Sequence, residues 1–369
     1  MPEMRLVRIV SELDFGGVEK VLANSIPALL DYGGIEVIVI VLRKGGVVSS
    51  ELKKKGVKVE ILDANPRIPN LMLLFKLRTR LKKLKPHVVH TQGSETNFHG
   101  IWAAKLERVP IIIGEEIGIP NHHSYWKWIF MWVYQKADFV IAISEAVKKH
   151  IVELGEVKKE KVRVIYNPVG LGARENEVSI MKSEVLKKRD KDTFVFVTTC
   201  RLVPIKNLKR LILVFDDMLL ANPGKNLRLD IIGDGPEKEK LEEVVVSRGL
   251  NEKIRFLGFK TNVFTFLYDS DAFVLPSLTE GSSLSLAEAM VAGLPSIVTK
   301  NGGASEILGN SESGILIDPN ESDSIHKAMQ KICDLSPATR QAMGLRAQKE
   351  SKRFSVENYL INLLEIYKN

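Results

Sequence analysis

In the stretch from Glu280 to Glu288, one carboxylate precedes a run of small residues and a second follows it. The stretch follows an apolar run at 272–276 that predicts a buried strand, and it opens a predicted helix at Leu284. Because residues 281–283 are small, they leave the first amides of that helix uncovered, and such amides attract phosphate. Phosphate donors between two carboxylates suit a ligand with both phosphates and hydroxyls, such as a nucleotide sugar. The plain alternative is a helix cap with a surface glutamate.

Two cations follow the first strand predicted in the second half of the chain. Arg201 and Lys206 stand between the apolar run at 193–199 and a predicted helix that begins at Leu208. At the end of a strand, two such side chains can hold a diphosphate and offset the charge that grows on it as it leaves. An exposed arginine and lysine on an ordinary loop would give the same pattern.

Glycine turns occur at two further strand ends in the same half. Gly233 and Gly235 follow the apolar run at 227–232, and Gly302 follows the run at 295–299. Glycines at such turns let a nucleotide lie against the backbone. The carboxylates, cations and glycine turns are independent in sequence, yet all fall at the carboxyl edge of one predicted parallel sheet. That coincidence favours a single ligand site at this edge.

Strands and helices alternate along the whole chain and must position these residues. Strand-like apolar runs separated by helical segments recur from Arg5 to about residue 167, and again from Thr193. This alternation predicts an α/β fold of two tandem Rossmann-like domains, each a doubly wound parallel sheet. The cleft between two such domains is the expected ligand site. At the first strand-to-helix turn, Gly16 and Gly17 allow close approach of a ligand, or form an ordinary tight turn.

The polar, charged stretch at 171–191 is the predicted linker between these domains. It separates a first domain at residues 1–170 from a second at residues 192–350. The final helical segment, residues 351–369, is a candidate to pack back on the first domain.

The formal net charge of +8 arises entirely within residues 1–170, since the rest of the chain is balanced. A partner with an anionic surface is therefore expected to bind the first half of the chain. No accompanying motif indicates that this partner is a nucleic acid. The two cysteines do not indicate a disulfide framework and fit a reducing cytoplasm. No signal-peptide pattern or apolar run of membrane-spanning length is present.

Two segments of the first half suggest contact with a membrane. Residues 71–85 hold six basic residues and no acid, which predicts a basic amphipathic helix that can lie on an anionic surface. A crossover helix packed on the sheet is the alternative and is compatible with that role. The aromatic segment 125–132 suggests an apolar acceptor groove, a membrane edge, or core packing.

The order of these motifs resembles that of the retaining glycosyltransferases of family four, which have the GT-B architecture of two facing Rossmann-like domains. The resemblance spans nearly the whole chain. In the first half it rests on Gly16-Gly17-Val18-Glu19, Val88-Val89-His90-Thr91, Ala142-Ile143-Ser144 and Val164-Ile165-Tyr166-Asn167-Pro168. In the second half it rests on Arg201, Lys206-Asn207, Ile232 to Pro236, Phe256-Leu257-Gly258, Pro276-Ser277, Glu280-Gly281, Glu288-Ala289-Met290, Gly293-Leu294-Pro295, Gly302-Gly303 and Glu306.

The resemblance implies a role for each matching residue. Glu280 would lie against the transferred sugar, and Glu288 would accept hydrogen bonds from ribose hydroxyls. Arg201 and Lys206 would bind the donor diphosphate. Gly16 and Gly17 would approach the donor phosphate, or the acceptor, from the first domain. The remaining donor-binding residues would be Gly233, Gly235, Ser282, Ser283 and Leu284. Neither a metal nor another cofactor is expected, since the nucleotide sugar is a co-substrate.

The first half departs from the family pattern at one position. Family members commonly place a histidine after the strand that corresponds to residues 111–114, whereas this chain has Glu115-Glu116. Three interpretations stay open: Glu116 takes the polar role, the loop brings His122 inward, or activity is lost. His90, at the end of another strand, either lines the acceptor side or belongs to the core.

The sequence thus predicts a metal-independent, retaining hexosyltransferase that prefers a UDP-sugar donor. The expected acceptor is a hydroxyl of a surface polysaccharide or a lipid-linked glycan, reached in the cytoplasm or at the inner face of the cell membrane. One alternative is an enzyme like sucrose or trehalose synthase that acts on a soluble acceptor. Another is a catalytically silent protein that binds nucleotide sugars.

Overall fold

The computed structural model of the chain describes residues 3–14, 16–120, 122, 125–170, 183, 185, 192–309 and 312–368. The chain divides into two compact units, Met1–Val169 with Phe354–Asn369, and Gly170–Arg353. Apart from residues 183 and 185, the predicted linker at 171–191 lies outside the described residues.

Seven parallel strands form the sheet of the first unit. They are β1 (Met4–Val10), β2 (Ile35–Val41), β3 (Lys58–Ile61), β4 (Val88–Gln92), β5 (Ile111–Glu116), β6 (Phe139–Ala142) and β7 (Val162–Val164). Their order is β3-β2-β1-β4-β5-β6-β7, so the chain begins near the middle and builds outward to both edges. The central strands are buried almost throughout, as is typical of parallel sheets covered on both faces.

Helices cover both faces of this sheet. They are α1 (Gly17–Tyr32), α2 (Val47–Lys54), α3 (Leu71–Leu84), α4 (Ser94–Leu106), α5 (Trp126–Gln135) and α6 (Glu145–Glu153). Right-handed crossovers place α1 and α2 on one face and α3, α4 and α5 on the other. The helix contacts agree, because α1 packs on α2, while α4 packs between α3 and α5.

The second unit repeats the architecture on a six-stranded parallel sheet of order β10-β9-β8-β11-β12-β13. Its strands are β8 (Thr193–Thr199), β9 (Asn226–Ile232), β10 (Ile254–Gly258), β11 (Ala272–Leu275), β12 (Ser296–Thr299) and β13 (Gly314–Ile317). Its helices are α7 (Leu208–Ala221), α8 (Lys238–Ser247), α9 (Phe264–Tyr268), α10 (Leu284–Ala292), α11 (Ala304–Leu308), α12 (Ser322–Asp334) and α13 (Pro337–Ser351). The predicted fold class, two parallel-sheet α/β domains, is confirmed.

No helix in the described ranges is both long enough and apolar enough to cross a membrane.

The final helix, α14 (Val356–Tyr367), packs on α1 and belongs to the first unit. The boundary lies after Arg353 rather than at the predicted residue 351. Arg353 itself belongs to the second unit, where its Nη2 donates to the carbonyl oxygens of Glu306 and Ile307 at 2.6 Å each. Val169 and Phe354, by contrast, are joined by a backbone hydrogen bond of 2.8 Å within the first unit.

A buried polar network joins α14 to the sheet. Arg8 Nη1 donates to the Tyr367 hydroxyl at 3.1 Å, and His90 Nδ1 lies 2.7 Å from the same hydroxyl. His90 Nε2 lies 2.9 Å from Oε2 of Glu115. Burial, together with the neighbouring Arg8 charge, lowers the pKa of His90 to about 4, so its ring is neutral at neutral pH. A neutral ring can then accept a hydrogen bond from the Tyr367 hydroxyl at Nδ1.

We expect the substitution Tyr367→Phe to lower the free energy of unfolding of the first unit by about 1–3 kcal/mol. The reason is that Arg8 Nη1 and His90 Nδ1 would lose a shared partner while they stay buried. All four tryptophans lie in the first unit, so urea unfolding followed by tryptophan fluorescence reports on that unit. Tyr125→Phe, at an exposed site, is the matched control. An unchanged transition for Tyr367→Phe would contradict this account.

Candidate active site

In the second unit, the loops after β8, β9, β11 and β12 leave the sheet at one edge, because the strands are parallel. These loops carry most of the residues singled out in the sequence. Arg201 and Lys206 follow β8, the glycines 233 and 235 follow β9, Glu280 to Ser283 follow β11, and Gly302 follows β12. The structure therefore brings the predicted donor-binding residues of this half to one edge.

An ion pair joins two of these loops. Lys206 Nζ lies 2.6 Å from Oε1 of Glu280, and the side chains are only 19% and 7% exposed. Ser277 Oγ, which is fully buried, donates to the same oxygen at 2.5 Å. Both donors thus hold Oε1, and Oε2 has no hydrogen bond within the described part of the chain. The carboxylate is fixed through one oxygen, which leaves the other for a ligand hydroxyl.

Backbone contacts hold the same two loops together. The Leu278 amide donates to the Ile205 carbonyl at 2.8 Å. Asn207 Nδ2 donates to the carbonyl oxygens of Pro276 and Pro319, at 3.2 and 2.8 Å. Asn207 has a positive φ of 57°, which asparagine tolerates better than most residues. The position of Lys206 is therefore set by its loop as well as by its ion pair.

Arg201 is an exposed cation at this edge. Within the described ranges, its guanidinium has no ion-pair partner, in contrast to the paired ammonium of Lys206. An exposed guanidinium with five donors is well suited to a phosphate oxygen.

The glycines of this edge allow neighbouring loops to approach one another. A Cβ on Gly233 would lie 1.8 Å from the Cys200 carbonyl oxygen, and one on Gly235 would lie 2.4 Å from that of Leu202. A Cβ on Gly302, which has a φ of 77°, would lie 2.0 Å from the Glu280 carbonyl oxygen. Contact between protein chain segments therefore explains these glycines. Their contact with a ligand stays a prediction.

Helix α10 begins as the sequence predicted. Ser283 is its N-cap, and its Oγ accepts a hydrogen bond from the Leu286 amide at 3.2 Å. The amides of Leu284 and Ser285 have no partner within the helix, so they can donate to an anion. Ser282 precedes them and is partly exposed, and Glu288 is buried one turn later.

A second group of predicted residues lies in the first unit around Glu116. Its carboxylate is buried, accepts a hydrogen bond from the Tyr134 hydroxyl and lies 3.3 Å from Asn97 Nδ2. Burial, aided by the nearby Glu156 carboxylate, raises the pKa of Glu116 to about 7. Glu116 can therefore gain or lose a proton near neutral pH. Tyr134 and Asn97 have no motif signal and were missed from the sequence.

His122 is held in the same region by Glu156. His122 Nδ1 lies 2.8 Å from Glu156 Oε1, and its ring stacks on Phe130 with 4.0 Å between centroids. Burial would lower the pKa of His122, but the Glu156 carboxylate outweighs this effect and raises it. The ring is partly exposed, and its Nε2 lies 3.4 Å from Ser94 Oγ. The interpretation in which the loop brings His122 inward is thus compatible with the structure.

The other first-unit candidates differ in exposure. His90 is wholly buried with partners at both ring nitrogens, so the structure favours a core histidine over an acceptor-side one. Gly16 and Gly17 are exposed at the start of α1. Both glycines belong to the first unit, and their contact with the donor stays a prediction.

Comparison with known proteins gives matches along nearly the whole chain. Residues 15–172 match the family described as Glycosyltransferase Family 4, and residues 181–350 match Glycosyl transferases group 1. The Escherichia coli protein UDP-Gal:alpha-D-GlcNAc-diphosphoundecaprenol alpha-1,3-galactosyltransferase is 30% identical over 280 residues, covering 72% of this chain and 70% of that protein. The lipopolysaccharide core biosynthesis glycosyltransferase LpsD of Rhizobium meliloti is 24% identical over 328 residues, covering 89% of this chain and 88% of that one.

Among solved structures, HepE of Anabaena in complex with UDP and glucose is similar with a TM-score of 0.81. The two chains are 20% identical, and the match covers 99% of this chain and 100% of HepE. At this identity the likeness shows the fold alone, which is the GT-B fold.

We expect Gly302→Ala to lower the stability of the second unit by about 1–3 kcal/mol, because the new Cβ would strain the loop against the Glu280 carbonyl. The second unit has no tryptophan, so differential scanning calorimetry is the suitable measurement. Gly224→Ala is the control, since a Cβ there meets no atom within 4 Å. Equal melting temperatures for the two variants would show that the close approach of Gly302 to the Glu280 carbonyl does not limit the stability of the second unit.

We expect Glu116→Gln to change the pH dependence of unfolding. The pKa of Glu116 is about 7 in the folded protein and near 4.5 when unfolded, so wild-type stability relative to the variant is greatest below pH 4.5. That advantage falls as pH rises through about 7, by about 3 kcal/mol in total. Urea unfolding at pH 4.5 to 8 measures it, with the exposed Glu95→Gln as control. A difference independent of pH would refute the raised pKa.

Proposed function

The chain belongs to the group 1 glycosyltransferases, and on this premise we propose that it transfers a hexose from a nucleotide sugar, with UDP as the preferred nucleotide. The observation that carries the proposal is the group formed by Lys206, Glu280 and Ser277 beside the exposed Arg201. It combines cations for a diphosphate with a fixed carboxylate for sugar hydroxyls. The UDP and glucose in the structure of HepE support this choice of donor.

In this proposal the cations act on the leaving group. The donor diphosphate would contact Arg201 and Lys206, and the Leu284 and Ser285 amides of α10 would add two uncharged donors. As the bond from the sugar C1 to the diphosphate breaks, negative charge grows on the departing oxygen. Fixed positive groups stabilise that charge more than they stabilise the bound donor, and this difference lowers the barrier. No metal ion is needed for this role in the proposal.

Glu280 would bind the sugar through its free oxygen, Oε2. Ser277 and Lys206 hold Oε1, so the carboxylate cannot rotate away when a ligand hydroxyl approaches. Glu288, buried one turn into α10, would accept hydrogen bonds from the ribose. Transfer with retention at C1 would form the new bond on the face from which the diphosphate leaves. The acceptor proton would pass to a diphosphate oxygen, so no strong protein base is required.

The proposed acceptor is a hydroxyl of a lipid-linked or surface glycan. The E. coli relative is named for a diphosphoundecaprenol-linked acceptor, and the Rhizobium relative for lipopolysaccharide core biosynthesis. In the first unit, Glu116 and His122 are the residues proposed to act on the acceptor side. We place the reaction in the cytoplasm, at a membrane surface met by residues 71–85.

Substitution of the two ion-pair partners separates their roles. We expect Lys206→Met to weaken UDP binding by about 10- to 100-fold, since a charged hydrogen bond to the diphosphate is lost. We expect Glu280→Gln to lower turnover by about 100-fold with a smaller change in UDP affinity, because UDP carries no transferred sugar. Titration calorimetry with UDP and release of UDP from UDP-sugars measure the two quantities.

Lys209→Met is the matched control, because Lys209 is exposed at the start of α7 near Lys206. The control should keep wild-type affinity and turnover. Wild-type UDP binding by Lys206→Met would refute the proposed diphosphate contact, and wild-type turnover by Glu280→Gln would refute the proposed sugar contact.

A further inference from the structure

Helices α3, α4 and α5 lie side by side on one face of the first sheet, and their outer surfaces carry large apolar side chains. We call this surface the aromatic face and define it by Leu71, Met72, Phe75, Phe98, Trp102, Trp128 and Trp132. We infer that the aromatic face docks on an anionic lipid bilayer. The inference extends the membrane contact proposed above from one helix to three.

The ends of the aromatic face are strongly exposed. Met72 is 74% exposed on α3, and Trp132 is 64% exposed on α5, with Leu71, Phe75 and Trp128 also exposed. Trp128 and Trp132 are four residues apart, so they project from the same side of α5. Packing within the first sheet therefore does not explain these side chains.

Helix α4 connects the two exposed ends. Phe98 and Trp102 are four residues apart on α4, and both are partly buried against the core between α3 and α5. Trp102 also lies close to α5, since the Nζ of Lys136, the C-cap of that helix, is 5.6 Å from the centre of its ring. The sequence did not reveal that α4 lies between the two outer helices, because this depends on which helices pack together.

Cations accompany the aromatic side chains on every helix of the face. Arg78 Cζ lies 5.9 Å from the centre of the Phe75 ring, Lys127 Nζ lies 5.4 Å from that of Trp128, and Lys136 Nζ lies 5.6 Å from that of Trp102. Further exposed lysines on or next to α3 are Lys76, Lys82, Lys83 and Lys85.

Few acids oppose this charge. Helices α3 and α5 contain none, and α4 and its C-cap contribute only Glu95 and Glu107. Glu107 Oε1 is paired with Arg78 Nε at 2.9 Å, so it does not add free negative charge. The aromatic face therefore combines exposed apolar side chains with a positive charge.

This combination distinguishes a bilayer from a protein partner. Lysine is depleted in protein–protein interfaces, whereas tryptophan with lysine and arginine is typical of surfaces that enter the headgroup region of membranes. Basic side chains next to the apolar ones would also interact favourably with anionic lipids. An anionic bilayer thus fits both the charge and the apolar side chains.

The orientation of the face also suits a lipid-linked acceptor. Helices α3 and α5 begin just after the carboxyl edge of the sheet, so Leu71, Met72 and Trp128 lie toward that edge. Glu116 ends β5 at the same edge. Docking would therefore bring the acceptor-side residues of the first unit near the lipid headgroups.

The test is cosedimentation of the full chain with vesicles of phosphatidylcholine alone or mixed with phosphatidylglycerol. The wild type should bind the mixed vesicles, and less tightly as salt increases. The double variants Trp128→Ser/Trp132→Ser and Lys82→Glu/Lys83→Glu should each lower the partition coefficient by about tenfold or more.

Matched controls lie on the second unit at exposed positions. Leu220→Ser/Val246→Ser likewise removes two exposed apolar side chains, and Lys240→Glu/Lys331→Glu changes the charge by the same amount; both should keep wild-type binding. Wild-type binding by both aromatic-face variants, or equal binding to phosphatidylcholine alone, would overturn the inference. So would a dimer of the wild type in sedimentation velocity that the tryptophan variant abolishes, since a second copy would then cover the face.

UDP titration of every variant keeps this test separate from the proposed function. Vesicle binding lost with UDP binding intact supports the aromatic face as the docking surface. UDP binding absent from a wild type that still binds vesicles would overturn the donor proposal alone.

Discussion

Parallel strand pairing is the constraint on which the proposed donor site depends. Residues from four loops, widely separated in sequence, meet because β8, β9, β11 and β12 all run in one direction and end at one edge. Close backbone approach then fixes the loops against one another, and Gly302 beside the Glu280 carbonyl shows how little space remains. The side chains that face the edge are positioned by this framework. The loops that carry the candidate functional residues are thus held in place by the sheet and by one another.

The two units use charge in different ways. In the second unit, Lys206 and Glu280 are paired close to the surface, beside an arginine that stays free for an anion. In the first unit, Arg8, His90 and Glu115 are wholly buried. Tyr367 contacts Arg8 and His90, and Oε2 of Glu115 lies 3.5 Å from Arg8 Nη2 and 2.9 Å from His90 Nε2. A charge shielded in this way stabilises a particular packing only while its partners stay in place. The first arrangement suits exchange of partners with a ligand, and the second suits a fixed junction between a sheet and its covering helix.

Local patterns determined most of what the sequence could predict. The bounds of β8, 193–199, and the first residue of α10, Leu284, were predicted correctly, because an apolar run and a serine cap mark them locally. No local sequence pattern identified the hydrogen-bond partners of the functional side chains. Ser277 beside Glu280, Tyr134 beside Glu116 and Tyr367 beside His90 are tertiary contacts, the last across 277 positions. His90 was ambiguous for the same reason, since its burial depends on a helix at the other end of the chain.

The return of α14 to the first unit has a consequence for biosynthesis. A ribosome delivers residues 354–368 only after the whole of the second unit has been made, yet those residues supply the tyrosine that joins Arg8 to His90. The nascent first unit therefore carries an uncovered, charged patch throughout translation of the second. The second unit, whose segment is contiguous, can close its core earlier. The first unit is thus the first to be synthesised and the last to be completed. A stop in translation before α14 would release a chain whose first unit lacks its covering helix.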